Sequence, residues 1–225
     1  VLKACDFSIW ILGRTGCFKS ELAALAQQHF GLNLNARHLP AAWSSTANYL
    51  AACSFSIQDA LLVIDDFCPT GPTTDIARSH KDADRVLRGQ GNNSGRGRCR
   101  PDGTPKPDKP PRGLIIVTGE DAPRGHSLRA RTLFIEISPG DVDVGVLTSC
   151  QKDAADGLYQ FAMREYLQWL AQQYEEVLDE FNDRAKEVRD NFRKTMKSSQ
   201  HNRLPGVVAE LFLAFELFLR FAFEA

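Results

Sequence analysis

The chain has 225 residues, a formal net charge of −1, and ordinary globular proportions of 43% hydrophobic and 24% charged residues. This length suits one large α/β domain, or a core domain followed by a small helical one. Because the charges balance, the chain as a whole gives no argument for a nucleic-acid partner, and any such site must come from a local cluster.

The six cysteines form no CxxC pair and have no histidine at zinc-ligand spacing, which favours reduced thiols in a cytoplasmic protein. Because residue 1 is Val and the chain leads quickly into an apolar strand, we expect an excised piece of a longer protein. We expect no signal peptide. The apolar stretch 204–225 contains Pro205, Glu210 and Arg220, so it predicts a buried helix and not a membrane span.

Apolar runs and helical periodicities alternate along the first part of the chain. Strands are expected at 7–12, 32–38, 60–64, 114–118 and 133–137. Helices are expected at 19–30, 47–55 and 73–87. This alternation predicts an α/β fold with a mainly parallel sheet covered by helices on both faces.

After residue 141 the pattern changes to helices alone. A long amphipathic helical region is expected over 153–195, and a second helix over 207–223. We therefore predict a core domain over 1–140 and a helical lid domain over 141–225. Within the core, residues 89–113 are rich in Gly, Pro and Arg, which predicts an exposed loop or a long hairpin.

The glycine-rich turn after the first strand predicts a nucleoside triphosphate site with its Mg²⁺. It consists of Gly13, Arg14, Thr15, Gly16, Cys17, Phe18, Lys19 and Ser20. Such a turn directs backbone N–H groups and the positive end of a helix at phosphates. Lys19 would neutralise phosphate charge, and the Ser20 hydroxyl would bind Mg²⁺. The pattern departs from GxxxxGK[ST] at Phe18, where glycine is usual.

Two carboxylates, Asp65 and Asp66, end the apolar run Leu61–Ile64 and resemble a Walker B strand. Asp65 would hold the Mg²⁺ ion, and Asp66 would orient or polarise the attacking water. The usual residue in the second role is Glu, which is one methylene longer. Thr118, at the end of the next long strand, is a candidate to touch the γ-phosphate or its water.

Three arginines precede the last strand: Arg124, Arg129 and Arg131. Oligomeric ATPases place an arginine here to reach the γ-phosphate of a neighbouring subunit, and the residues alone leave the choice among these three open. The basic segment 89–113 is a candidate for contact with a nucleic-acid backbone. Its proposed contacts are Arg96, Arg98, Arg100 and Lys106. It contains no aromatic residue, so base stacking is not indicated.

Several ordered motifs together resemble one family. They are GRTGCFKSELAALAQQHFG, LPAAWSSTANYL, DALLVIDDFCPTG, RGQGNNSGRGR and PRGLIIVTGEDAPRGHSLRAR. The chain is similar to the ATPase domain of helicase-like proteins from phages and mobile elements, long known only as a domain of unknown function. That family resembles the self-loading AAA+ helicases of the MCM-like and superfamily-3 type. The resemblance covers about residues 10–137, and the family accepts Phe before the motif lysine.

The resemblance implies an ATP-dependent DNA helicase that forms a ring, usually a hexamer, with ATP bound between subunits. It implies that the basic insert is a pore hairpin that grips DNA, and it suggests Arg131 as the arginine finger. Arg203, in HNRLPGVVAEL, is placed like the sensor arginine of the lid. The alternatives are a P-loop kinase or nucleotide switch acting on a small molecule, and a non-catalytic module with a degenerate P-loop.

Overall fold

The computed structural model describes residues 5–195 and 201–224, except for the side chains of residues 126 and 127. The strands are β1 (Ser8–Leu12), β2 (Ala41–Ala42), β3 (Gln58–Phe67), β4 (Arg112–Gly119) and β5 (Thr132–Glu136). The helices are α1 (Lys19–Gln28), α2 (Ala47–Ser56), α3 (Thr73–Gly91), α4 (His126–Arg129), α5 (Val144–Ala155), α6 (Leu158–Gln172), α7 (Tyr174–Thr195) and α8 (Leu204–Glu224).

The strands form one parallel sheet in the order β2-β3-β4-β1-β5. This confirms the predicted α/β fold with a parallel sheet. Since all the strands run the same way, they end at one edge, which we call the carboxyl edge. At this edge Leu12 of β1 lies beside Gly119 of β4 and Glu136 of β5. The loops that follow β1 and β4 are therefore neighbours.

Alternating side chains along the strands build a separate core on each face of the sheet. On one face Leu62 and Ile64 of β3 join Trp10 in a cluster with buried residues of α2, α3 and α4. On the other face Leu61 and Val63 join a cluster with residues of α1 and α8. Helices therefore cover both faces, as the alternating sequence pattern predicts.

Helix α1 is attached to β3 by the buried side chain of Gln27. Its amide nitrogen donates to the carbonyl of Leu61 at 2.7 Å, and its amide oxygen accepts the N–H of Val63 at 2.9 Å. The neighbouring strand β2 is only two residues long and pairs at Ile64 and Asp65. The Gln27 amide thus supplies the hydrogen bonds that a longer β2 would make with β3.

The predicted strand at 32–38 was wrong, because this segment forms turns and the strand β2 follows it. Asn35 causes the difference. Its side-chain oxygen accepts the backbone N–H of Arg37 at 3.0 Å, and its carbonyl accepts the N–H of His38 at 2.9 Å. Local bonds of this kind compete with a strand ladder.

The predicted helical region at 153–195 is helical but divided into parts of α5, α6 and α7. Gly157 interrupts it with a left-handed backbone at φ 83°. The last helix, α8, places Val207 and Leu211 in the core on the α1 face of the sheet. The division into domains at residue 140 stays a prediction. In the described parts of the chain, we find no helix with the length and apolar character that a bilayer span requires.

We predict that Gln27→Leu lowers the free energy of unfolding by about 3 kcal/mol, because two buried backbone groups of β3 lose their partners. The matched control is Gln28→Leu in the same helix, where one bond of 3.3 Å to the Leu32 carbonyl is lost. Its expected cost is about 1 kcal/mol or less. Urea denaturation measures both, and equal costs would contradict the role given to Gln27.

Candidate nucleotide-binding site

The turn of residues 13–18 joins the carboxyl end of β1 to the start of α1. A Cβ on Gly13 would lie 2.4 Å from the Ile137 carbonyl oxygen, so this position admits only glycine. Gly16 has φ +87°, a conformation that glycine adopts without strain. Cys17, which follows Gly16 and precedes helix α1, is buried. Close packing and backbone conformation therefore fix the path of the turn.

Phe18 occupies the left-handed conformation, with φ 60° and ψ 22°, at the N-cap of α1. This explains why glycine is usual here and why Phe at this position is strained. No side chain caps the helix. The N–H groups of its first turn, including those of Lys19 and Ser20, have no partner inside the helix. The amino end of this ten-residue helix is therefore suited to an anion.

Side chains on both sides of the turn point toward the same region. Lys19 donates from Nζ to the carbonyl of Arg14 at 2.9 Å, so its amine lies over the turn. The Thr15 hydroxyl donates to the Glu120 carboxylate, which follows β4. Sequence reasoning gave Glu120 no role. The adjacency of β1 and β4 brings it to Thr15, and their separation in sequence conceals this contact.

Asp65 is the centre of a hydrogen-bond network that joins three elements. Its Oδ1 accepts the Ser20 hydroxyl from α1 at 2.7 Å and the Thr118 hydroxyl from β4 at 2.5 Å. Ser20 and Asp65 are therefore together, as a shared Mg²⁺ site requires. No group of three or more His, Cys, Asp or Glu side chains suited to a metal exists in the described chain. Mg²⁺ fits one carboxylate and one hydroxyl when phosphate oxygens and water complete its shell.

Asp66 directly follows Asp65 near the carboxyl end of β3. It has φ 63° at a bulge, where the pairing with β4 shifts between Ile64 and Phe67. Asp tolerates this left-handed conformation better than most residues. Its exposed side chain lines a cavity of about 490 Å³ that also contains Ser44 and Arg78. The two adjacent acids therefore face different surroundings.

Thr118 is 1% exposed and lies beneath both acids. Its hydroxyl donates to Asp65 and accepts the backbone N–H of Asp66 at 3.0 Å. Its proton and one of its lone pairs are thus used by protein groups, and its contact with the γ-phosphate or the attacking water stays a prediction. The geometry makes Thr118 a positioning residue for Asp65 and for the Asp66 backbone.

Arg131 and Arg203 lie together at the opposite, amino edge of the sheet. Arg131 donates from Nε to Asn92 at 3.2 Å, and Arg203 donates from Nη1 to the Gly91 carbonyl at 3.2 Å. A Cβ on Gly91 would lie 2.2 Å from Cδ of Arg131, so glycine makes room for the arginine. The five residues of β1 place this edge about 16 Å from the glycine-rich turn. Sequence reasoning missed Gly91.

Burial lowers the pKa of Arg131, and the positive charges of Arg203 and Arg88 lower this pKa further. Positive charges held this close together are typical of a site that binds an anion. The other two candidates have different surroundings. Arg129 lies over the ring of Phe134 at 5.6 Å, and Arg124 is exposed.

His80 is buried under the carboxyl edge, edge-on to Phe67 with ring centroids 5.5 Å apart. Burial lowers the pKa of His80, the positive charge of Arg124 lowers it further, and Asp121 at 3.7 Å opposes this. The ring is therefore held neutral at physiological pH. It packs beneath the strand end that carries Asp66.

The basic insert lies between α3 and β4 and is exposed along most of its length. A bridge between Cys99 and Pro105 makes its tip a short hairpin, which confirms the expected loop or hairpin. Arg98 and Lys106 pair through a backbone bond of 2.7 Å, and Arg100 donates from its side chain to Thr104. Arg96 instead reaches back to Asn48 of α2 at 3.1 Å.

One solved structure that the chain resembles is the SCCmec type IV Cch active helicase. The TM-score is 0.64 at 20% sequence identity, and the match covers 95% of this chain and 38% of that chain. This chain therefore spans 38% of the length of that protein. No protein-family model matches the sequence, and no curated protein matches it at a significant level. The likeness agrees with the parallel sheet and shows that the chain shares the α/β fold of that structure.

We predict that Phe18→Gly leaves the free energy of unfolding unchanged or raises it by up to about 1 kcal/mol, because relief of the left-handed strain offsets the added chain entropy. The matched control is Phe30→Gly, since Phe30 is 38% exposed against 39% for Phe18 and has no positive φ. Phe30→Gly should lower the free energy of unfolding by about 1 kcal/mol or more. Thermal denaturation compares them, and an equal loss in both variants would contradict the strain at Phe18.

Proposed function

We propose that the chain is the ATP-hydrolysing motor domain of a DNA helicase or translocase from a phage or mobile-element replication protein. The observation that carries this proposal is the Asp65 network, which brings Ser20 of the glycine-rich turn and Thr118 of β4 to one carboxylate. A phosphate-binding turn alone indicates only binding. A carboxylate held against its serine indicates a metal-dependent phosphoryl transfer site.

In this proposal the turn 13–18 and the first-turn N–H groups of α1 hold the phosphates of ATP, and Lys19 neutralises part of their charge. Ser20 and Asp65 hold Mg²⁺. When bound, Mg²⁺ supplies positive charge that stabilises the phosphoryl group as negative charge develops. Thr15, within the turn, is bonded to Glu120, which attaches the turn to the segment after β4.

Asp66 is proposed to orient the attacking water and to accept its proton. Its carboxylate is exposed at the carboxyl edge and has no hydrogen-bond partner among the described side chains. Thr118 holds the backbone of Asp66, which has a left-handed conformation at the bulge. The acid proposed to bind the metal and the acid proposed as base thus have different surroundings at the end of one strand.

Arg131 is proposed as the finger that reaches the nucleotide of a neighbouring subunit. About 16 Å of sheet separates it from the turn of its own chain, so it cannot act there. Arg203, which lies beside it, would act on the same neighbouring nucleotide. This arrangement requires an oligomer, and we propose a ring, most simply a hexamer. Residues 141–225 would form the lid next to this boundary.

The basic insert is proposed to contact DNA through Arg96, Arg98, Arg100 and Lys106. Arg98 and Lys106 are exposed beside each other on the hairpin, and Arg100 stabilises its turn. Phosphate contacts of this kind position a strand without reading its sequence.

The proposal is tested by ATPase assays with and without single-stranded DNA. We expect hydrolysis that DNA stimulates, and a loss on the order of 10²-fold or more in Lys19→Ala, because the phosphate charge is no longer neutralised. Lys152→Ala on exposed α5 is the matched control and should retain activity. ATP hydrolysis that DNA does not stimulate, or transfer of phosphate to a small acceptor, would contradict the proposed motor function.

The action of Arg131 across subunits is tested by mixing. Lys19→Ala and Arg131→Ala should each be inactive alone, whereas an equal mixture should recover about a quarter of the sites, where an intact turn meets an intact finger. The recovered phosphate release is measured after co-refolding or co-expression. If no phosphate release is recovered although both variants still assemble, Arg131 does not act on the nucleotide of a neighbouring subunit.

A further inference from the structure

Helix α3 carries a row of positive charges on one face. Arg78, Lys81, Arg85 and Arg88 are spaced by three, four and three residues, which places them on one side of an α-helix. The row is about 15 Å long at the rise of an α-helix. Arg78, Lys81 and Arg85 lie within the helix expected at 73–87, and Arg88 directly precedes the basic insert of residues 89–113.

This face of α3 opens into two adjoining cavities. The first, of about 490 Å³, is lined by Thr46, Asp66 and Arg78. The second, of about 430 Å³, is lined by Ala47, Lys81, Arg85 and Arg88. Asp82 lines both cavities, and the consecutive residues Thr46 and Ala47 of the opposite wall continue from one to the other. The two cavities therefore form one groove between α2 and α3, which we call the α2–α3 groove.

Small side chains keep the groove open along α2. Its second cavity is bounded there by Ala47, Asn48, Ala51 and Ser54, none of which is large enough to fill it. No aromatic side chain lines this second cavity within the described chain. A ligand in it would therefore be held by charge and polar contacts, and not by stacking on rings.

The groove is continuous with the basic insert. Arg96 and Lys109 of the insert line the second cavity beside the α3 row. Arg96 is anchored to Asn48 at 3.1 Å, and the Lys109 amine lies 5.3 Å from the ring of Phe55 on α2. These two contacts hold the base of the insert against α2, so the positive charge of the insert leads directly into the groove.

Most of the cations in the row are available to a ligand. Arg78, Lys81 and Arg85 form no salt bridge in the described chain, whereas Arg88 is held by Asp84 at 2.8 Å. Asp82 and Asp84 are the acids inside the groove, Asp84 being the partner of Arg88, and Asp66 bounds its far end. With Arg96 and Lys109, cations outnumber acids along the groove. An excess of unpaired cations in a concave surface is suited to a polyanion, since phosphate binding there releases counterions.

We propose that the α2–α3 groove binds a single strand of nucleic acid by its phosphate backbone, continuing the path from the basic insert toward Asp66. This rests on the proposed motor function and extends the binding site to Arg78, Lys81, Arg85 and Lys109. A single row of cations on one helix contacts one backbone, not the two backbones of a duplex. Because phosphate contacts carry no sequence information, the groove binds strands of any sequence.

The test measures the binding of a fluorescent oligothymidylate of about 30 nucleotides, longer than the footprint of a single-strand binding fold. Lys81→Gln/Arg85→Gln is compared with Lys152→Gln/Lys186→Gln, which removes the same charge from exposed positions of α5 and α7. Lys81→Gln/Arg85→Gln is the groove variant. We expect it to reduce the slope of log K against log salt concentration by about 1.4, because each of two lost phosphate contacts contributes about 0.7. Binding should weaken about 20-fold near 0.1 M salt. Arg85→Lys, which keeps the charge, should retain the slope.

The outcomes separate the groove from the proposed function. If Arg96→Gln/Arg98→Gln/Arg100→Gln weakens binding but the groove variant binds like the unmodified protein, the groove proposal is wrong and the motor proposal stands. If the unmodified protein binds no oligothymidylate, both proposals fall. If Lys152→Gln/Lys186→Gln loses as much binding as the groove variant, the effect is one of overall charge, and the groove proposal is wrong. Unchanged thermal denaturation in each variant verifies that it is folded.

Discussion

The structure of the candidate site depends on the hydrogen bonds of the Asp65 carboxylate. A partly buried carboxylate needs donors, and Asp65 finds them in Ser20 at the start of α1 and Thr118 in β4. These bonds fix the end of β3 relative to the phosphate-binding turn on one side and to the neighbouring strand on the other. Gln27 adds a second attachment of α1 to β3, at Leu61 and Val63 in the apolar run that precedes Asp65. The turn is therefore held to the sheet at two places along one strand.

The alternation of β3 then divides the site into two sides. Leu61, Val63 and Asp65 face α1, whereas Leu62 and Ile64 face α2 and α3. The bulge interrupts this alternation at Asp66, which lines the cavity at the end of the α2–α3 groove. In the proposed function, Asp65 holds the metal beside Ser20 of α1, and Asp66 lies at the end of the nucleic-acid path. A strand in the groove would therefore lie beside the residue that activates water.

Local signals predicted the parts of this site that lie close together in sequence. The strand, the glycine-rich turn and α1 are consecutive, so the pattern of Gly13–Ser20 was sufficient to predict them. The cap of α2 is likewise local, since the Thr46 hydroxyl accepts the N–H of Tyr49 three residues later. The segment 32–38 failed because apolar spacing cannot weigh the turn bonds of Asn35.

Contacts between distant segments could not be predicted in the same way. The bond of Thr118 to Asp65, the contact of Thr15 with Glu120, and the space that Gly91 leaves for Arg131 depend on strand order. The α2–α3 groove likewise exists only when two helices pack on one face of the sheet. Sequence identified most of the candidate residues, but which of them face one another, and across which edge, required the fold.

The most direct test of this account is whether the two adjacent acids have separate functions. The measurement is the thermal stability of the protein with ATP, in Mg²⁺ or in EDTA, for Asp65→Asn and Asp66→Asn. ATP at about 100 times its dissociation constant should stabilise the unmodified protein by about 2.7 kcal/mol in Mg²⁺ and by less in EDTA. Asp65→Asn should lose the difference between Mg²⁺ and EDTA, whereas Asp66→Asn should keep it and lose hydrolysis. An equal loss of Mg²⁺-dependent stabilisation in both variants, or none in either, would contradict the account.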